Sequence, residues 1–186
     1  MRRMDNEREM DKLLVKGLVS ARDMEHLAAL LVGFHLKHRL PPGETYQPET
    51  DIRDFGDLFL LLKSFDALPF VEQDRLRAWE LEVPALLEKH APRQQERMDQ
   101  GFWVDGHGDL HSRNIFLPLG ARPLVFDALE FNPAWRRMDV LNELGFLCMD
   151  LEYFGRNDLA HAFMQHYTQR WACLQTPEDE QLFLYF

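Results

Sequence analysis

The stretch His107-Gly108-Asp109-Leu110-His111-Ser112-Arg113-Asn114 is followed by the apolar run Ile115-Phe116-Leu117 and, further on, by Leu124-Val125-Phe126-Asp127. The two apolar runs are rich in residues that favour strands, and prolines and a glycine lie between them, so the pattern predicts a β-hairpin. Asp109 precedes Asn114 by five residues, and Asp127 follows the second run. The hairpin would bring a proton acceptor, Asp109, and two oxygen ligands for a metal ion, Asn114 and Asp127, to one point.

The same spacing occurs in the catalytic loop of kinases, where an aspartate meets the acceptor hydroxyl and an asparagine binds Mg²⁺. The block HGDLHSRN with the later FDALE resembles the phosphate-transfer core of aminoglycoside phosphotransferase-like kinases, which share the protein-kinase fold. A bacterial branch of this superfamily has similar stretches through VFDALEFNP and MDVLNELGFLCMDLE. The motifs that carry the resemblance lie between His107 and Asp150.

The resemblance implies an ATP- and Mg²⁺-dependent phosphotransferase. In it, Asp109 would be the base for a substrate hydroxyl, and Asn114 and Asp127 would hold the Mg²⁺ that bridges the phosphates of ATP. Gly108 stands where protein kinases usually have the arginine of HRD, FDALE lacks the glycine of DFG, and no APE follows. These departures imply that the acceptor is the hydroxyl of a small molecule rather than a protein side chain.

Five other residues of this region are candidates for supporting roles. We expect His107 to orient the loop backbone by hydrogen bonding. His111 lies beside the proposed base in sequence, and Arg113 could contact phosphate or pair with an acidic residue. Glu130 could assist the metal or the substrate, or stabilise its loop. Asp139 could accept backbone N–H bonds from the catalytic loop, or serve as a carboxylate at the start of the next helix.

The remaining pattern predicts an α+β, predominantly helical chain. Helical spacing of apolar residues indicates helices over about residues 5–16, 20–38, 51–65, 71–96 and 159–174, with further helices after Asp139 and from Pro177. The fourth of these should be kinked or interrupted at Pro84. Phe102-Trp103-Val104 is a third strand candidate. We expect residues 1–186 to form one C-terminal lobe of a protein-kinase-like fold, with a β-hairpin catalytic region at about 101–139.

A kinase also needs a glycine-rich loop and a lysine of the VAIK type, which normally precede the catalytic loop. Neither occurs in this sequence, and its last five residues, from Leu182 to Phe186, are all apolar or aromatic. We therefore expect a large lobe that is inactive by itself. Its partner would be an N-terminal nucleotide-binding lobe of the same protein, which this sequence lacks.

Composition excludes several other classes of protein. The chain has 31 Asp and Glu against 21 Lys and Arg, a formal net charge of −10, which argues against a nucleic-acid-binding surface. No stretch is apolar enough for a membrane span, and the charged N-terminus is unlike a signal peptide. Cys148 and Cys173 lack metal or redox spacing and are predicted to be buried thiols, which fits the cytoplasm. His35 and His38 are expected to suit the negative end of a helix.

Two alternative functions start from the same residues. His107, Asp109 and His111 alternate, so on a strand they would face one way and could hold Zn²⁺ in a metal-dependent hydrolase. A chain without a nucleotide lobe could also serve as a non-catalytic kinase-like interaction module.

Overall fold

The computed structural model describes residues 5–64 and 73–185, which fold into helices and two small antiparallel sheets. The helices are α1 (Met10–Val15), α2 (Ala21–Lys37), α3 (Pro48–Ser64), α4 (Gln73–Asp99), α5 (Val140–Tyr153), α6 (Asn157–Arg170) and α7 (Pro177–Tyr185). The strands are β1 (Trp103–Asp105), β2 (Ile115–Phe116), β3 (Leu124–Val125) and β4 (Arg137–Asp139). The fold is therefore α+β and predominantly helical, as the sequence predicts.

The chain divides into two compact units. One contains the residues up to Pro41 together with those from Gly101 onward, and the other runs from Pro42 to Gln100. The first unit contains both sheets and the loop from His107 to Asn114, so the candidate site belongs to it entirely.

The core of the first unit is built around α5, which has buried apolar residues from Val140 to Leu151. Helices α2 and α6 pack against each other, and α5 contacts α6 and α7. The helix predicted after Asp139 therefore forms the buried centre of this unit. Cys148 and Cys173 are buried free thiols, as predicted, and burial raises the pKa of the Cys148 thiol to about 12.

Helix α2 begins where the sequence predicts. The Ser20 hydroxyl accepts the Asp23 backbone N–H, and the Asp23 carboxylate accepts the Ser20 N–H, which completes a capping box. The single helix expected over residues 5–16 is wrong. The segment forms a 3₁₀ turn at Asn6–Arg8 followed by α1, because Glu9 is extended and pairs with Phe116 of β2.

Two short antiparallel pairs make up the sheets. In the predicted hairpin, Ile115 pairs with Val125 and Phe116 with Leu124. Strand β1 pairs with β4, and Trp103 lies opposite Asp139. The sequence does not predict β4, because Arg-Met-Asp carries no strand pattern and β1 supplies its pairing.

The second unit contains helices α3 and α4. Helix α3 begins at Pro48, three residues before the predicted start. Helix α4 is continuous from Gln73 to Asp99 and contains Pro84 and Pro92, so Pro84 does not interrupt it, and a kink at this position stays a prediction. The predicted start of this helix at Val71 lies outside the described residues.

The apolar C-terminal run is only partly exposed. Leu182 of α7 is buried, whereas Leu184 is exposed, and Phe186 lies outside the described residues. Among the helices of the described ranges, none combines the length and apolar character needed to cross a membrane.

Candidate active site

The site lies on the connection between the two sheets. Strand β1 ends at Asp105, the chain forms an irregular loop through His111, and a 3₁₀ turn at Ser112–Asn114 leads directly into β2. The β2–β3 hairpin then returns the chain to Asp127. Candidate site residues therefore lie at the open end of the hairpin, opposite its turn, with Asn114 directly before β2 and Asp127 shortly after β3.

Asp109, His111 and Asn114 form a contacting cluster. The Asn114 amide nitrogen donates to the Asp109 backbone carbonyl at 2.9 Å and to the Asp109 carboxylate at 3.2 Å. The His111 Nε2 atom lies 3.4 Å from the same carboxylate oxygen and 3.3 Å from the Asn114 amide nitrogen. Asn114 is buried and Asp109 is partly exposed. The cluster therefore presents the Asp109 carboxylate at the surface, while the buried Asn114 holds it in place.

The contacts of Asn114 determine the orientation of its amide. A backbone carbonyl and a carboxylate oxygen accept hydrogen bonds, so the atom that faces them is the donating nitrogen. The amide oxygen makes no hydrogen bond within the described residues, and neither does the Oδ1 atom of Asp109. The two oxygens remain available, one as a ligand for a hard cation and the other as an acceptor for a hydroxyl proton.

Asp127 is held beside this cluster by its backbone neighbours. The Phe126 N–H donates to the Asn114 carbonyl at 3.1 Å, the His107 Nε2 lies 2.7 Å from the Phe126 carbonyl, and the Leu129 N–H donates to the His107 carbonyl at 3.0 Å. Asp127 has a φ of 63°, and no other non-glycine residue in the described ranges has a positive φ. Its exposed carboxylate makes no hydrogen bond or ion pair within them. Such backbone strain occurs most often at functional sites.

His107 uses both ring nitrogens to connect the loop to the Asp127 segment. Its Nε2 donates to the Phe126 carbonyl, and its Nδ1 accepts the Asp109 N–H at 3.3 Å. Gly108 follows with a φ of 82°, and a Cβ atom there would lie 3.0 Å from Leu129. A larger residue at position 108 would be strained by the backbone and crowded by its neighbour.

Glu143 of α5 lies beneath the loop and is buried. Its Oε1 atom accepts the backbone N–H groups of His107 and Gly108, the latter at 2.9 Å. A Cβ atom at Gly106 would lie 2.8 Å from the Glu143 carboxylate, so a glycine is needed there. Burial opposes the charged form of Glu143, but His35 and the two N–H donors outweigh it and lower its pKa.

His35 and Tyr167 complete a buried chain of hydrogen bonds. The His35 Nε2 lies 2.5 Å from Glu143 Oε2, and its Nδ1 lies 2.7 Å from the Tyr167 hydroxyl. His35 lies in the last turn of α2, as predicted, but its ring is also fully buried and contacts Glu143 of α5 and Tyr167 of α6. His38 is exposed and its ring bonds the Phe34 carbonyl in the last turn, as a terminal histidine should. We call His35, Glu143 and Tyr167 the buried triad.

The other supporting candidates have contacts of different kinds. The Asp139 carboxylate accepts the Leu141 N–H at 2.8 Å and caps α5, which is the helix-terminal role considered for it. Glu143 accepts the N–H groups of His107 and Gly108. Arg113 is exposed and lies 3.9 Å from the Asp11 carboxylate. Glu130 is exposed on the segment after Asp127.

The alternating pattern of His107, Asp109 and His111 does not lie on a strand. These residues belong to the loop, and the ring of His107 is fully engaged by the Phe126 carbonyl and the Asp109 N–H. Across the described ranges, no group of three or more His, Cys, Asp or Glu side chains is arranged to hold a metal ion. The one-sided ligand set that the hydrolase alternative requires is therefore not formed by these three residues.

The residues that sequence reasoning missed are the buried ones. Glu143 interrupts the apolar pattern of α5 at a position between Val140 and Leu147 on the same face, and His35 continues the buried stripe of α2 from Leu31. A charged residue on a buried helical face must have a partner. A charged or polar residue on a predicted buried face was therefore the sequence signal available for these residues, although it could not identify the partner.

Comparisons with known proteins found relatives that match only part of this chain. Uncharacterised proteins of Mycobacterium bovis and of two Mycobacterium tuberculosis strains are 43% identical to this chain over 74 residues, which is 40% of this chain. The matched segment makes up 15% of the length of each relative. No protein-family model and no solved structure matches the chain.

Proposed function

We propose that this chain is the C-terminal lobe of a protein-kinase-like phosphotransferase, which uses ATP and Mg²⁺ to phosphorylate a hydroxyl of a small molecule. The observation that carries the proposal is the contact between Asn114 and Asp109. By donating to Asp109, the amide nitrogen of Asn114 leaves its own oxygen and the second Asp109 oxygen available. A metal ligand and a general base at adjacent positions are what phosphoryl transfer requires.

Asp109 would act as the base. Its exposed carboxylate can accept the proton of a substrate hydroxyl, while its bond to Asn114 fixes the direction from which the hydroxyl approaches. Phosphoryl transfer depends mainly on positioning and charge neutralisation, so a fixed carboxylate is sufficient for this role.

Asn114 and Asp127 would hold the Mg²⁺. The oxygens of both side chains make no hydrogen bond within the described residues, and Mg²⁺ prefers oxygen ligands. The hydrogen bonds from Phe126 to Asn114 and from His107 to Phe126 support this assignment, because they tie the backbone of one ligand to that of the other. When bound, Mg²⁺ would neutralise charge on the phosphates of ATP.

The acceptor class follows from Gly108 and from the absence of protein-kinase motifs. The positive φ of Gly108 is unfavourable for the arginine that protein kinases carry in HRD. Without that arginine the loop has no partner for a phosphorylated activation segment. This favours an enzyme that acts on small molecules and needs no such switch.

The proposal places the nucleotide-binding lobe elsewhere in the full-length protein. The glycine-rich loop and the VAIK lysine do not occur in the 186 residues of this sequence. The matched relatives are much longer than their similar segment, which leaves room for such a lobe in them.

Phosphotransfer by the full-length gene product tests the base. A panel of hydroxylated metabolites is screened with ATP and Mg²⁺, and ADP formation is measured. We expect Asp109→Ala to lower turnover about 10²–10⁴-fold, the usual contribution of a general base, with little change in ATP binding. Asp57→Ala, which removes an exposed carboxylate of α3, is the matched control and should keep full activity. Full turnover by Asp109→Ala would refute the base assignment.

Metal binding can be tested on the present chain. Mn²⁺ replaces Mg²⁺ at oxygen sites and broadens the NMR signals of nearby backbone amides. We expect the amides of Asn114 and Asp127 to broaden first, and Asp127→Asn to abolish this while Asp57→Asn does not. If broadening is the same in both variants, Asp127 is not a ligand. The non-catalytic alternative gains if the full-length protein also fails to bind ATP.

A further inference from the structure

A basic cleft lies at the opposite end of the β2–β3 hairpin from the candidate active site. It has a volume of about 840 Å³ and is lined by the 3₁₀ turn before α1, the first turns of α2 and the hairpin turn from Pro118 to Arg122. Asn114 precedes β2 directly and Asp127 follows β3, so the hairpin separates the two places. We call this region the arginine cleft.

The charge of the arginine cleft is opposite to that of the whole chain. Arg8, Arg22, Arg122 and His26 line it against a single carboxylate, that of Asp23, although the net charge of the protein is −10. Within the part of the chain that the structure describes, none of the three arginines makes an ion pair. Arginines clustered without carboxylate partners repel one another, so an anion among them would be stabilised by all three.

Two of the charged side chains that line the cleft, those of Arg8 and Asp23, are held in place by hydrogen bonds. The Arg8 Nε donates to the Leu117 carbonyl at 2.7 Å, and the Leu117 N–H donates to the Arg8 carbonyl at 2.9 Å. The terminal nitrogens of Arg8 remain free to donate elsewhere. The Asp23 carboxylate accepts from the Ser20 N–H and hydroxyl, so its charge is already partly satisfied. The cleft therefore has a preorganised donor and a carboxylate directed to its own helix cap.

Other side chains that line the cleft lie along one face of α2. Arg22 and His26 are four residues apart and hence neighbours on the helix surface, and Leu30 continues the same row. Arg122 reaches the cleft from the hairpin turn. Guanidinium groups bind phosphate through paired N–H donors, and convergence from separate elements surrounds such a ligand.

The walls of the cleft are not all charged. Ala29 and Leu30 of α2 and Pro118 and Leu119 of the hairpin also line it, so a bound ligand would contact apolar surface beside the arginines. Such a combination suits a ligand with an anionic head and an apolar body, since polar anchors orient a ligand whose body packs on apolar walls.

From these features we infer that the arginine cleft binds a small organic phosphate, at a site separate from Asp109, Asn114 and Asp127. The phosphate group would be bound by Arg8, Arg22 and Arg122, and the organic part would pack on Leu30 and Pro118. This site requires neither a metal ion nor the nucleotide lobe, so it stands independently of the phosphotransferase proposal.

Phenyl phosphate and inorganic phosphate are the probes. Each is titrated into the present chain in the presence of a metal chelator, and backbone amide shifts are followed by NMR. We expect saturable shifts at Ala29, Leu30 and Gly120, with little change at Asp109 and Asn114, and tighter binding of phenyl phosphate than of inorganic phosphate. Shifts centred on Asp109 and Asn114, or no saturable shift with either probe, would overturn the site. Equal binding of the two probes would overturn the organic class.

Two variants identify the donors. Arg22→Ala combined with Arg122→Ala should weaken phenyl phosphate binding at least about tenfold, because each removes charge-assisted hydrogen bonds. Arg53→Ala combined with Arg77→Ala, which removes two exposed arginines of α3 and α4, is the matched control and should bind as the parent does. If both proteins lose affinity equally, binding reflects overall charge and the inference is wrong. Circular dichroism of the double variant checks that it folds.

Discussion

The exposed face of the loop from His107 to Asn114 and its buried underside are built differently. On the face, Asp109 and Asp127 present carboxylates to solvent, and their contacts leave oxygen atoms unused. Beneath it, the carboxylate of Glu143 is saturated by His35 and by two backbone N–H groups. The same kind of group is therefore open to solvent on one side of the loop and closed by hydrogen bonds on the other.

This contrast predicts that stability and activity are controlled by different residues. Removal of a buried, fully bonded charge leaves its partners unsatisfied in a medium of low polarity. Removal of an exposed carboxylate leaves water in its place, so the cost to folding is small. The loop backbone at His107 and Gly108 connects the two regions, because it is bonded from below and carries Asp109 above.

The largest expected effect is that of Glu143→Ala. The substitution leaves the His35 ring and the N–H groups of His107 and Gly108 without their acceptor, and loss of one member of a buried pair typically costs about 3–5 kcal/mol. Urea unfolding followed by circular dichroism measures the free energy of unfolding. Asp109→Ala, the exposed counterpart, should change it by less than about 1 kcal/mol.

Glu143→Gln makes this comparison sharper. The glutamine keeps the volume and one acceptor oxygen but loses the charge, so we expect a loss smaller than that of Glu143→Ala. If Glu143→Ala and Asp109→Ala destabilise the protein equally, the proposed division between buried and exposed carboxylates is wrong.

Tyr167→Phe should have the next largest effect. It removes the hydroxyl that lies 2.7 Å from His35 Nδ1 and leaves that buried nitrogen without this partner. An unsatisfied buried polar group costs about 1–3 kcal/mol. Tyr153→Phe, at a highly exposed tyrosine of α5, is the control and should change unfolding by only a few tenths of a kcal/mol. Equal effects of the two substitutions would mean that the hydroxyl of Tyr167 contributes nothing to the free energy of unfolding through the buried triad.

The fold was predictable from sequence where the signals are local. The Ser20 cap, the apolar stripe of α2 and the strand–turn–strand pattern of the hairpin are all written in neighbouring residues. The errors occur where distant partners decide. Glu9 is extended because it pairs with Phe116, and β4 exists because β1 lies beside it. Neither partner can be inferred from the segment itself.

The candidate site divides in the same way. Asp109, Asn114 and Asp127 were identified because a motif places them at fixed spacings along one hairpin. Glu143 lies 36 residues from His107 in sequence, and Tyr167 lies 132 from His35, so no local pattern relates them. Sequence therefore indicated the exposed half of the site, whereas the packing of α2, α5 and α6 revealed the half that positions it.

Acidic pH should lower the free energy of unfolding through protonation of Glu143. Its pKa in the folded state is lower than the value of 4.5 for an ordinary glutamate, because bonds from His35 and the loop outweigh the cost of burial. The group therefore contributes stability above about pH 4.5, and this contribution is lost as pH falls through the lower, folded-state pKa. One group can change the free energy of unfolding by at most about 1.4 kcal/mol per pH unit. Urea unfolding between about pH 6 and pH 3 should show a steeper loss in the parent than in Glu143→Gln. Parallel curves would exclude Glu143 as a source of acid sensitivity.

The smallest expected effect separates the hydroxyl of Ser112 from its backbone. The Ser112 N–H donates to the Asp150 carboxylate at 2.8 Å, but the buried hydroxyl has no hydrogen-bond partner within the described residues. Ser112→Ala keeps the N–H bond and removes an unsatisfied polar group, so the free energy of unfolding should stay within about 1 kcal/mol of the parent or rise slightly. Asp150→Ala, which removes the acceptor instead, should destabilise the protein more. If Ser112→Ala is the more damaging of the two, the hydroxyl has a partner, and the underside of the loop is held by more than its backbone.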